Sequence, residues 1–138
     1  MGIRRATQSD VARIMEIRHS VRENRLSDPN LVTAGDCVEF IERSEIWVWE
    51  EGGAVQAFAA GDIRDGWIWA LFVAPLYEGR GIGRALLAMA CETLRDAGYT
   101  VAYLSTAAGT RAERFYIENG WTMVSKNKKS EVLFNKTL

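Results

Sequence analysis

Residues Val73–Ala90 read VAPLYEGRGIGRALLAMA. An apolar run ends at Pro75, glycines follow at positions 79, 81 and 83, and a helical apolar period begins directly after them. That order spells strand, loop, helix. Glycines keep Cβ atoms out of the loop, and the helix behind it offers free N–H groups and the positive end of its dipole. The junction therefore suits an anion such as a phosphate. A flexible turn is the other reading of a lone Gly-x-Gly, and the surroundings must decide. A Walker loop needs Lys and then Ser or Thr after its last glycine, whereas Arg84 and Ala85 follow Gly83. A dinucleotide fingerprint fails too. Counted from Gly79 its third glycine position holds Arg84, counted from Gly81 it holds Leu86, and the next strand ends in Ser105 rather than an acid for a ribose.

Outward from this loop, the chain alternates strand and helix patterns without linker or repeat. GWIWALFVAP is apolar on both faces and reads as a central strand. EIWVWEE and AVQAFAAGD flank Gly52-Gly53 as a hairpin, and IRRA is a short first strand. Thr7 to Asp10 form a T-x-x-D box opening a helix whose inner side carries Val11, Ile14, Met15, Ile17 and the stem of Arg18, ending near His19. HSVRENRLSDPN reads as a loop, and a second box at Thr33 to Asp36 opens a helix to about Arg43. After the glycines a helix over 83–97 carries Leu86, Leu87, Ala90, Cys91 and Leu94 on one stripe and stops at Gly98. YTVAYLST is a strand, TRAERFYIENG a short helix closed by a glycine, and WTMVS with SEVLFNKT a terminal hairpin joined by KNKK. The expectation is one α/β domain over residues 1–138, ordered β-α-α-β-β-β-α-β-α-β-β. About seven strands would form a mixed central sheet flanked by about four helices.

Composition narrows the partners. The 138 residues carry 17 Lys and Arg against 18 Asp and Glu, a formal net charge of -1. That balance argues against a nucleic acid or an anionic lipid surface as partner, while leaving room for a local basic patch. Two distant cysteines, Cys37 and Cys91, with a single His in the chain, suggest neither a disulfide framework nor a metal site. The start MGIRRATQSD is charged, leads into no signal-like apolar run, and has Ala6 where myristoylation favours Ser or Thr. No apolar run approaches the roughly 18 residues that span a bilayer. A cytoplasmic protein without membrane association is expected.

The residues around the glycines resemble a known family. LFVAPLYEGRGIGRALL is similar to the cofactor motif Gln/Arg-x-x-Gly-x-Gly/Ala of the GNAT acetyltransferases, and AERFYIENGW resembles that family's helix Tyr followed by Gly-aromatic. The resemblance spans nearly the whole chain in element order. It implies the GNAT fold, acetyl-CoA as cosubstrate and direct acetyl transfer to an amine of a small molecule or peptide, in a protein that among such relatives is frequently a homodimer. It places the pyrophosphate and pantetheine on Glu78, Gly79, Arg80, Gly81, Ile82, Gly83 and Arg84. The backbone of Leu71 and Val73 would bind the pantetheine amides where that strand splays from VAYLST. Glu78 stands where the family prefers Gln or Arg, a carboxylate near a diphosphate that Arg80 and Arg84 are expected to offset. Gly109 stands where many relatives have an Asn that contacts the pantetheine. A non-catalytic acyl-CoA sensor of the same fold is the alternative.

The resemblance makes Tyr116 the group that meets the leaving thiolate. Its phenol, of pKa about 10, is protonated at neutral pH and suits a donor. An alkyl ammonium of pKa about 10.4 costs roughly 4.6 kcal/mol to present neutral at pH 7, so a proton acceptor is required. His19, Glu23, Asp28, Asp62, Asp65 or a water relay could supply it, with Glu23 first among them. Trp67 with Trp69, and Trp47 with Trp49, each fall on one strand face, as core packing or as an aromatic wall for the acceptor.

Overall fold

Both T-x-x-D boxes start helices. In a computed structural model of the chain, which describes residues 2–20, 32–127 and 130–138, Thr33 accepts from the Asp36 N–H at 3.1 Å while Asp36 accepts from the Thr33 N–H at 2.9 Å. They open α2 (Ala34–Arg43). At the other box the Thr7 N–H donates to Asp10 at 2.8 Å, but Gln8–Asp10 forms a 3₁₀ turn before α1 (Val11–Ser20) takes over. Arg4, in β1 (Gly2–Arg5), grips Asp10 through both guanidinium ends at 2.8 and 3.0 Å, tying helix entry to the first strand.

Strands β2 (Ile46–Glu51), β3 (Ala54–Asp62) and β4 (Trp67–Val73) continue antiparallel from β1. Helix α3 (Ile82–Asp96) crosses to β5 (Val101–Ala107), which runs parallel to β4, and α4 (Arg111–Glu118) leads to the hairpin β6 (Thr122–Lys126) and β7 (Glu131–Thr137). The sheet has seven strands in the order β1-β2-β3-β4-β5-β7-β6, the mixed architecture the pattern implied.

The sheet separates the core. On one face α1 and α2 bury Ile14, Ile17, Cys37 and Phe40 against Val48, Phe58 and Phe72. On the other, Ile82, Leu86 and Ala90 of α3 cover Ala57 and Ala59 of β3, while Leu87, Leu94, Tyr116 and Phe134 fill the space under α3 and α4. Gly61 explains how closely α3 approaches: a Cβ there would lie 2.7 Å from the Ala90 carbonyl oxygen and from Leu94. The tryptophans do not form one wall. Trp47 and Trp49 pack on the α3 face, whereas Trp69 stacks on Phe40 with ring centroids 4.3 Å apart on the α2 face. Among the described residues, no helix is long and apolar enough to cross a membrane.

Candidate functional site

Gly81 caps the N-terminus of α3 with φ +82°, and Gly79 before it has φ +77°. Both need the left-handed region that glycine enters freely. A Cβ on either would meet nothing within 4 Å, so the loop faces open space. The first N–H groups of α3 have no acceptor within the helix, as at any helix start, and no capping side chain covers them. Gly83 differs, since its φ is ordinary and a Cβ would sit 3.6 Å from Phe115 and Val73, normal contact distance.

These glycines open into a cleft of about 530 Å³ between the loop and α4. Val73, Glu78 and the three glycines form one wall, and Arg111, Arg114 and Phe115 the other, with Arg84 between them. Six residues that the sequence assigned to cofactor binding thus meet there: Val73, Glu78, Gly79, Gly81, Gly83 and Arg84. Arg80 turns away, its Nη1 3.3 Å from the Glu51 carboxylate and its guanidinium 4.8 Å above the Tyr77 ring. The expectation that Arg80 offsets Glu78 is corrected, since Arg111 pairs with Glu78 instead; Arg84 stays in the cleft lining, its Nε donating to Asn119 Oδ1 at 3.2 Å. Ile82 buries its side chain in the core and leaves only its backbone for a ligand. Leu71 is half-buried on the α3 face of β4, outside the cleft lining. Gly109 is likewise outside it, in the turn before α4, its N–H donating to Glu113 at 2.6 Å.

The α4 wall is the part sequence reasoning missed. Arg111, Arg114, Phe115, Glu118 and Asn119 all line the cleft and fall at helical spacing on one face, opposite the buried Tyr116. That second stripe is a readable signal.

Beside the cleft, β4 leaves β5. The two strands share a single register pair, Trp67 with Tyr103, supported by the Tyr103 N–H donating to the Gly66 carbonyl at 3.2 Å. On its other edge β4 stays paired with β3 as far as Val73. Past Trp67 the outer edge of β4 has no strand partner among the described residues, which is the expected splay. An irregularity opposite Ala60 and Gly61 leaves Trp69 out of the ladder at the start of this divergence.

Tyr116 lies behind the cleft wall rather than on it. Its ring meets Phe115 and Trp121 edge-on at centroid distances of 5.3 and 5.8 Å, in a cluster with Leu87, Cys91 and Leu104. Burial pushes its phenol well above the ordinary tyrosine value, and the nearby Cys91 adds to the shift. Of the proton acceptors considered, Glu23 and Asp28 lie outside the described residues. Asp62 is buried, which alone would raise its pKa, yet the Arg64 guanidinium 2.8 Å away holds it below the usual carboxylate range. Asp65 accepts the Trp67 N–H at 3.0 Å, and His19 is exposed in the last turn of α1.

Comparison with known proteins agrees with this geometry. The model of the acetyltransferase (GNAT) family matches residues 11–121, and the chain belongs to that family. Its structure is similar to that of PaiA N-acetyltransferase from Thermoplasma acidophilum in complex with coenzyme A, with TM-score 0.83 and 16% identity over 99% of this chain and 98% of that one. It also resembles yncA from Salmonella typhimurium with its cofactor acetyl-CoA, with TM-score 0.81 and 24% identity over 100% of this chain and 94% of that one. Ribosomal-protein-alanine N-acetyltransferase from Brucella melitensis gives TM-score 0.79 and 24% identity over the full length of both chains. At these identities the likeness shows the fold alone. No curated protein sequence matches the chain.

Proposed function

We propose that the chain is an N-acetyltransferase that moves the acetyl group of acetyl-CoA to an amine of a small molecule or peptide, by direct attack with both bound. The observation that carries this reading is the glycine-rich loop at the start of α3, opening into an arginine-lined cleft beside an edge of β4 that has no strand partner among the described residues past Trp67. Acetyl-CoA supplies an acyl group activated as a thioester. The residues present fit it: backbone N–H groups over 79–84 with Arg84, Arg111 and Arg114 suit a diphosphate, and the free backbone edge at Leu71 to Val73 suits the pantetheine amides. A second hollow of about 240 Å³ shares Arg84 and Asn119 with the cleft and is edged by Arg95 and Lys136, a basic site for the 3′-phosphate.

In the transfer, the amine nitrogen forms the new C–N bond, the C–S bond breaks, and the sulfur keeps its electron pair. The amine proton passes to a base, the role assigned to Glu23. Full proton transfer from an unperturbed phenol to a thiolate of pKa about 8.5 is uphill by roughly 2 kcal/mol, and the burial of Tyr116 steepens that. The role assigned to Tyr116 is therefore hydrogen-bond donation to developing charge rather than complete proton transfer, and it requires the buried hydroxyl to reach past Phe115 to the sulfur. The sensor reading draws on the scarcity of acids beside the cleft: its lining holds only Glu78, which is paired with Arg111, and Glu118. Thiol release from acetyl-CoA across a panel of polyamines, amino acids, aminoglycosides and peptides tests the proposal. Saturable, acceptor-dependent release is expected. Tight CoA binding without release from any acceptor establishes a sensor, and absence of CoA binding overturns both readings.

A further inference from the structure

On the α1 side of the sheet, opposite α3, lies a charge without an ion-pair partner among the described residues. Arg18, in the last turn of α1, is only 4% exposed, and its Nε and Nη2 are buried with no hydrogen-bond partner among the described residues. Its guanidinium rests 4.8 Å from the ring centre of Phe72, 5.0 Å from Trp69 and 5.9 Å from Phe58. Rings attract a cation, but they leave its N–H groups unsatisfied. The thiol of Cys37 nearby brings no counter-charge, since burial pushes its pKa up. Were Arg18 there only to fill space, an apolar side chain of similar length would serve better, because an uncompensated buried charge is costly.

Its position gives the charge a use. Trp69 and Phe72 flank Ala70 and Leu71 on β4, along the stretch where β4 has parted from β5. The acyl-donor cleft lies on the α3 and α4 side of the sheet, and Arg18 stands across β4 from it, on the opposite face. We infer that Arg18 recognises a carboxylate on the acceptor, so that the amine acetylated belongs to an amino acid or an amine with a similarly placed carboxylate. The inference rests on the transferase reading above. A planar guanidinium whose Nε and Nη2 are unpartnered presents one free edge that can donate to a carboxylate bidentately, and the surrounding rings exclude the water that would weaken the pair.

Calorimetric titration of the CoA-bound protein with glycine, alanine, glutamate and lysine, each beside its α-amide, tests this without requiring turnover. At least one acid should bind saturably and its amide at least tenfold more weakly. Arg18→Met should abolish that preference while CoA affinity is kept, and Arg18→Lys, retaining charge without the fork, should restore part of it. Equal binding of acids and amides, binding of neither, or an unchanged preference in Arg18→Met overturns the inference. Because the acid–amide comparison is made on the unsubstituted protein, it decides even if a variant fails to fold. Efficient acetylation of amines without a carboxylate would overturn it and leave the transferase standing, whereas failure to bind CoA would strike the transferase reading itself.

Discussion

Gly83 keeps an ordinary helical backbone, and a Cβ there would make only normal contacts with Phe115 and Val73. Glycine is the poorest helix former after proline, so a fold with no use for the bare position would favour alanine. Gly83→Ala should raise stability by up to about 1 kcal/mol and yet weaken CoA binding at least tenfold. Opposed signs in urea denaturation and in a binding titration are the signature of a ligand-driven glycine, and unchanged CoA affinity would remove Gly83 from the site. Tyr116→Phe keeps the ring contacts with Trp121 and Phe134 and deletes only the hydroxyl. Turnover should fall by roughly 10² to 10³ with acetyl-CoA affinity little changed. Unchanged turnover would leave Tyr116 as packing behind Phe115. At this scale the glycines were legible because their meaning is local, set by a strand before them and a helix after. The direction of Arg80 was not: its partners, Glu51 and Tyr77, become neighbours only once β2 and the loop fold together.

Helix starts were legible for the same local reason, and the Thr33 box forms just as its four residues indicate. What the Thr7 box did not disclose is the 3₁₀ turn and the reach of Arg4 across from β1, a contact set by tertiary structure. That contact has a pH signature. The Arg4 hydrogen bond, first among the causes, holds Asp10 below its ordinary value, against the opposing effect of burial. A carboxyl with a depressed folded pKa stabilises above its unfolded value, about 3.9, and loses that contribution as pH falls through the folded value. Asp10→Asn should therefore destabilise the protein at pH 7 by about 1 kcal/mol. The gap to the unsubstituted chain should narrow once pH drops below about 4, read from urea midpoints across a pH series. A gap that stays constant down to the acid limit would deny the Arg4–Asp10 pair its role. The parting of β4 from β5 is the opposite case. Nothing in the run GWIWALFVAP signals it, and only family resemblance led there, because strand pairing is non-local and the irregularity at Trp69 appears only against β3.

For the whole molecule, a net charge of -1 conceals how unevenly charge is placed. Arg84, Arg111 and Arg114 border the cleft, and Arg95 and Lys136 edge the hollow beside it, so a chain without a broad basic field still offers a stepped basic path. The arrangement suits one triply phosphorylated ligand better than a general anion. A ligand that binds only the folded state stabilises it by about 2.7 kcal/mol at a hundredfold excess over its dissociation constant. For a domain of this size that corresponds to a rise in melting temperature of roughly 8–13 °C. CoA and acetyl-CoA should produce it, NADH and ATP at equal concentration much less, because neither has a pantetheine arm to lie along the free edge of β4. Dephospho-CoA, which keeps the diphosphate and the arm, should fall between them. Its deficit relative to CoA measures what the second hollow contributes. In Arg95→Ala that deficit should shrink, since the variant removes a cation from the hollow and leaves the glycine loop intact. Equal shifts from all the phosphorylated ligands would reduce the cleft to a generic anion site. A full CoA shift that Arg95→Ala leaves untouched, with dephospho-CoA still weaker, would place the 3′-phosphate elsewhere on the rim.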